Sequence, residues 1–225
     1  MNIVSYKNQL TQAVSLAVCS ILLLAISFTF IEPTITSAQT SIFTIRQQVT
    51  AELSFSVPPT NVTMVGALAG ITGGNATGTT YAVVLTNNTN GYAMDIAFSG
   101  TPAMRGEVTN STAIGNYGST TEPAFIFSTT SSAVFAYNVF ASTTADLDAS
   151  FKHNGVACNA GTQSSSSNCW MAASTTNFRI VSRNSAATTT ATTTLQFRVN
   201  IPNNPVPAVT SDFYTATATL TLVAL

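Results

Sequence analysis

The chain has 225 residues, of which 45% are hydrophobic and only 7% charged, and 7 Lys and Arg against 8 Asp and Glu leave a formal net charge of -1. So few cations cannot form the clustered basic patch that nucleic acid or an anionic membrane surface demands, so neither is an expected partner. Solubility rests instead on 38 Thr, 24 Ser and 18 Asn; a cytosolic enzyme has about a quarter of its residues charged, so this composition points to an exported surface.

Lys7 lies in a short polar stretch that leads into an apolar run over residues 13–31, stopped by Glu32 and Pro33. The run has the length of a signal-peptide core, and the small residues Thr36, Ser37 and Ala38 suit signal peptidase, so the mature chain is expected to begin at Gln39. The same run approaches the roughly 20 residues that span a bilayer, which leaves an uncleaved anchor as the alternative. Cys19 is not a lipidation site by this reading, because Val18 precedes it and the strongest apolar run follows it.

Beyond residue 38, residues 45–57 alternate, with Ile45, Val49, Ala51, Leu53, Phe55 and Val57 on one parity and polar residues on the other. Period two over that length predicts a half-buried strand. Residues 62–68 form a short apolar run followed by a turn at 72–75. Residues 80–85 and 92–98 are separated by Thr86-Asn87-Asn88-Thr89-Asn90-Gly91 and read as a β-hairpin closed by an Asn-Gly turn. In the second of these strands Tyr92, Met94, Ile96 and Phe98 share one face. Further strands are expected at 124–127, 133–141, 177–181, 193–199 and 213–223, the last with Thr at alternate positions, a good strand former on a wet face.

No long amphipathic helix is apparent after residue 38, because Thr, Asn and Gly interrupt the spacing throughout. The expected fold is all-β: an antiparallel β-sandwich, Ig-like or jelly-roll-like, preceded by the N-terminal signal helix. Residues 39–225 form a single domain in this reading, with irregular insertions near 100–122 and 142–176.

With Cys19 removed in the signal, Cys158 and Cys169 remain as an even pair, which in an oxidising compartment predicts a local disulfide closing a Ser-rich loop. A metal or redox role is disfavoured, since no second pair accompanies them and His153 is the only histidine. His153 has no nucleophile motif beside it and reads as a solvated loop residue. Asp146 and Asp148 would project to one face roughly 7 Å apart if extended, within reach of an inverting glycosidase pair. A solvated turn or a weak calcium contact is the simpler reading, because calcium wants six to eight oxygens. The sequons at Asn61, Asn75, Asn87 and Asn110 match the about five that composition alone provides, so they do not indicate glycosylation. Phe125, Phe127, Phe135, Tyr137 and Phe140 have core spacing, which outweighs a carbohydrate-binding platform. No catalytic, cofactor-binding or metal-binding residue is assigned.

The run from Thr86 to Tyr92 with its alternating strand, and the closing stretch Pro207-Ala208-Val209-Thr210-Ser211-Asp212-Phe213-Tyr214-Thr215-Ala216-Thr217-Ala218-Thr219-Leu220, resemble strands of WxL-type cell-wall-binding domains. They are also similar to the final strand of spore-coat-U and fimbrial-like sandwiches. The Trp-x-Leu motifs are absent, Trp170 being followed by Met171 and Ala172. The resemblance implies an extracellular bacterial β-sandwich that associates with cell wall or with itself. The expected function is that of a secreted, non-enzymatic structural or adhesive protein of the cell surface, able to self-assemble. A secreted carbohydrate- or ligand-binding module is the alternative, and a secreted hydrolase the second. The sequence closes inside its last expected strand, so surface retention is expected to come from the N-terminus or from subunit contacts. The segment around Ile45, Val49, Leu53 and Phe55 is the candidate assembly strand, through addition to a neighbour's sheet edge.

Overall fold

The computed structural model describes residues 3–29, 39–109, 111–128 and 131–225, and the chain divides into two units, Met1–Gln48 and Val49–Leu225. In the first, helix α1 spans Ile3–Thr29. Its window Gln9–Ile26 has a mean hydropathy of 1.9, long and apolar enough to cross a membrane. The cleavage site expected at 36–38 lies outside the described residues. Residues 39–48 have no regular structure and are exposed.

The second unit is an all-β sandwich. Its large sheet takes the order β1 (Leu53–Val57), β3 (Gly73–Thr86), β11 (Ala187–Ile201), β8 (Val134–Ala141), β6 (Ala113–Asn116), β5 (Met104–Gly106) and β12 (Tyr214–Thr215). The short β2 (Leu68–Ala69) adds to β3, while β9 (Asn168–Ala172) pairs with β8 and with β7 (Ala124–Ile126). The small sheet is β10 (Phe178–Arg183), β4 (Tyr92–Phe98) and β13 (Ala218–Ala224). Pairing is antiparallel except between β6 and β8.

Period two decides which faces meet. Leu195, Val199 and Ile201 of β11, Phe135, Tyr137 and Val139 of β8, and Tyr92, Met94, Ile96 and Phe98 of β4 are buried in one core. The sheets touch through Phe98, whose ring centroid is 5.9 Å from that of Phe135 and 5.5 Å from that of Tyr137. Burying such aromatic side chains stabilises by roughly 1.5–3 kcal/mol each before entropy is counted.

Four expectations are corrected. The hairpin of 80–85 with 92–98 is not one: β3 pairs with β1 and β11, β4 with β10 and β13. The Asn-Gly turn instead carries the chain from one sheet to the other, because Ala82 and Val84 on one strand and Met94 and Ile96 on the next all face the shared core. The strand expected over 45–57 is paired only from Leu53, since its partner β3 ends at Thr86, opposite Leu53. The strand expected over 213–223 is split: Tyr214–Thr215 joins β5 and Ala218–Ala224 joins β4, so the chain changes sheets between them. Finally, the stretches read as irregular hold β5, β6 and β9, together with 3-10 turns at Thr144–Asp146 and Ala149–Phe151.

Candidate functional site

The pole where β1 begins gathers Glu52, Asn87, Asn88, Gly91 and Leu225. As β3 ends, the Asn87 side chain takes over its role: Oδ1 accepts from the Glu52 N–H at 2.6 Å and Nδ2 donates to the Thr50 carbonyl at 3.0 Å. Thr86 Oγ1 donates to the Glu52 carbonyl at 2.6 Å. Asn88 Nδ2 donates to the carbonyls of Gly91 and Leu225 at 3.0 and 2.9 Å, tying the last residue to the turn. Residues 50–52 are thereby held extended without a partner strand. Of the candidate assembly strand, Leu53 and Phe55 are half-buried against the core, whereas Ile45 is 85% and Val49 81% exposed. Ile42 and Phe43 are 98% and 79% exposed.

Cys158 and Cys169 form a disulfide across a sequence separation of 11. His153, five residues before the loop that the disulfide closes, exchanges backbone hydrogen bonds with Gln163 inside that loop at 2.9 and 3.0 Å. His153 is not a solvated loop residue: it is 5% exposed, with its ring edge-on to Phe125 at 5.4 Å. Nδ1 accepts from the Gly155 N–H at 3.2 Å, and the buried Nε2 has no hydrogen-bond partner among the described residues.

Asp146 and Asp148 have separate tasks. Asp146 forms a 2.6 Å ion pair with Arg183 Nη1. Asp148 accepts from the N–H and Oγ of Ser150 at 3.0 and 2.7 Å, capping the second 3-10 turn. One carboxylate is thus engaged in an ion pair and the other in a turn cap, and no cluster of three or more metal-ligating side chains occurs among the described residues.

Arg183 and Asp146 also act on Tyr92. Burial, aided by Asp146 and opposed by Arg183, pushes the Tyr92 phenol up to about 12. Its hydroxyl has no hydrogen-bond partner among the described residues. A buried unpaired polar group costs about 1–3 kcal/mol, so Tyr92→Phe is expected to raise stability by about 1 kcal/mol in denaturant melts. The pH dependence has a definite sign. A phenol bound more tightly to its proton in the folded state contributes stability that is intact below pH 10 and lost as pH rises from 10 through about 12. Tyr92→Phe should flatten that alkaline loss, leaving the part due to Tyr137, whose burial also pushes its phenol upward.

The outward face of the large sheet carries a second, smaller core of Tyr117, Val134, Ala136 and Trp170. Phe127 stacks on Tyr117 at 4.4 Å and meets Trp170 edge-on at 5.5 Å. The Arg198 guanidinium covers this group, 4.3 Å from the Phe127 centroid, and its Nε donates to Asn75 Oδ1 at 2.8 Å. Phe135 and Tyr137 fill the main core, Phe125 packs against it, and Phe127 belongs to this outer cluster. Four of the five aromatics therefore serve two cores on opposite faces of one sheet, whereas Phe140 is half-buried and belongs to neither.

A surface cleft of about 420 Å³ is lined by Pro102, Arg105, Thr112, Pro207, Thr210 and Tyr214, among others. Beside it Asp212 accepts from the N–H groups of Val108, Thr109 and Phe213. Those bonds, led by Thr109, hold its carboxyl below the usual carboxylate range. Sequence reading missed Asn87 and Arg198; the first stands in a recognisable Asn-rich turn, while nothing local marks the second.

Comparison with known proteins found no match among family models, curated proteins or solved structures.

Proposed function

We propose that this chain is an exported, non-enzymatic structural or adhesive component of a bacterial cell surface that associates with copies of itself. The observation that carries the reading is the Cys158–Cys169 disulfide in a β-sandwich that follows a membrane-length apolar helix. Disulfides persist in oxidising compartments, and a surface made of Thr, Ser and Asn stays soluble without charge. Asp146 and Asp148, the residues a hydrolase would need, are bound by Arg183 and Ser150, which favours the structural role.

Expression in a bacterial host, followed by protease shaving of intact cells and mass spectrometry of the N-terminus, tests the reading. The expected result is a shaved, disulfide-bonded protein beginning at Gln39. An intact Met1 with the same shaving would convert the signal into an anchor. A protease-protected protein with both thiols free would overturn the export reading.

A second reading, a ligand-binding module, is favoured by the cleft beside Tyr214 and Arg105, whose volume of about 420 Å³ suits a small molecule. Binding on a glycan array that is lost in Tyr214→Ala would support it.

A further inference from the structure

We infer that the segment running into β1 is a self-complementary strand, and that two copies of this chain join by pairing it antiparallel about a two-fold axis at Val49. The inference rests on the self-associating role proposed above and names the surface that performs it.

Direction comes first. Peptide groups alternate sides along a strand. With the Glu52 N–H and Thr50 carbonyl bound by Asn87 on the β3 side, those of Val49, Ala51 and Leu53 point to the opposite edge. Among the described residues β1 forms a ladder with β3 alone, so that edge is unpaired. Residues 39–57 contain no Gly or Pro to reverse the chain, which disfavours folding back onto the same molecule.

Register follows from the side chains. With Val49 opposite Val49 of the second copy, Phe43 faces Phe55, Ile45 faces Leu53 and Gln47 faces Ala51. All these fall on the parity that β1 turns toward the core, so, Gln47 apart, the apolar stripe continues from one copy into the next. On the other parity Arg46 faces Glu52, twice by symmetry, while Thr44 faces Ser54 and Gln48 faces Thr50. These two charged side chains are the only ones in residues 39–57, and this register puts them in opposition. Shifting the register by one residue would place apolar against polar side chains throughout. A two-stranded ribbon alone is marginal in water, but this one is continuous at both ends with a large sheet, so the seven odd-numbered residues from 43 to 55 of each copy gain backbone partners without new loops to order. An interface of this kind is isologous and closes at two copies.

The test uses the full chain in detergent, with Cys19→Ser to remove the exposed helix thiol. Val49→Cys is expected to cross-link to itself under mild oxidation. Gln47→Cys and Ala51→Cys should each stay uncoupled alone and cross-link when mixed. Arg46→Glu and Glu52→Arg should each weaken the dimer about tenfold or more in analytical ultracentrifugation, since like charges directly opposed repel, and the double reversal should restore it. Self-linking of Gln47→Cys as fast as Val49→Cys, or no rescue by the double reversal, overturns the register. A folded chain that stays monomeric throughout overturns the pairing. Neither result touches the export reading, which the shaving experiment decides separately.

Discussion

Gly91→Ala is expected to lower stability on the order of 4 kcal/mol, a large share of the margin of any single domain. Two costs combine at this residue. Its φ of +83° lies in the left-handed region that side chains disfavour. A Cβ built there would sit 1.9 Å from the Arg183 carbonyl and 2.7 Å from the Ser185 N, both backbone atoms that cannot swing aside. Moving them shifts the end of β10, and with it Arg183, which holds Asp146 at 2.6 Å and the carbonyls of Ser185 and Ala186 at 3.1 and 2.9 Å. Gly91→Asn separates the two costs, because Asn tolerates positive φ yet carries the same Cβ. Equal losses for Ala and Asn in chemical denaturation would assign the effect to the close approach; recovery in Asn would assign it to backbone conformation alone.

The same position shows what was legible in the sequence. Asn90 and Gly91 announce a turn, and the alternation of Tyr92, Met94, Ile96 and Phe98 announces a strand with one buried face, as observed. What they do not carry is which sheet the strand joins. Turn chemistry fixes the local backbone, whereas the choice between pairing with β3 and facing it depends on Leu222 and Val181, which lie opposite Met94 from distant parts of the chain. For the same reason residues 45–52 look like a strand: their alternation records a competence to pair, and pairing also needs a neighbour, which β3 ceases to offer at Thr86.

Short strands were illegible for a different reason. β5, with three residues, β6, with four, and β9, with five, are too brief for their alternation to stand out amid Gly, Ser and Thr. The Arg198 cluster assembles Tyr117, Phe127, Trp170 and Arg198 from four separate segments, so no window of sequence contains it. Cysteine parity, by contrast, needs no periodicity, and the disulfide was readable because only two cysteines follow the apolar helix. His153 was misread since its burial comes from Phe125 and from the loop that the disulfide closes.

Removing that disulfide has the second large effect. In Cys158→Ser/Cys169→Ser the unfolded chain regains the freedom of a loop with a sequence separation of 11, worth about 3 kcal/mol in the chain-entropy model. The native state loses as well, because Cys169 is 1% exposed within the main core and a serine hydroxyl there needs a partner. Cys169 also has a φ of +63°, a conformation costing about 1 kcal/mol for a side-chain-bearing residue. Cys158→Ser/Cys169→Gly should therefore be the less damaged of the two variants, by about 1 kcal/mol or more. Denaturant midpoints of the full chain, measured with and without reductant, check this. If reduction leaves the midpoint unmoved, the pairing of β9 with β7 and β8, reinforced by Asn138 Nδ2 donating to the carbonyls of Ser165 and Asn168, holds the loop without the covalent bond. If the glycine variant is the worse, the tight backbone at Cys169 is set by β9 and not by the bridge.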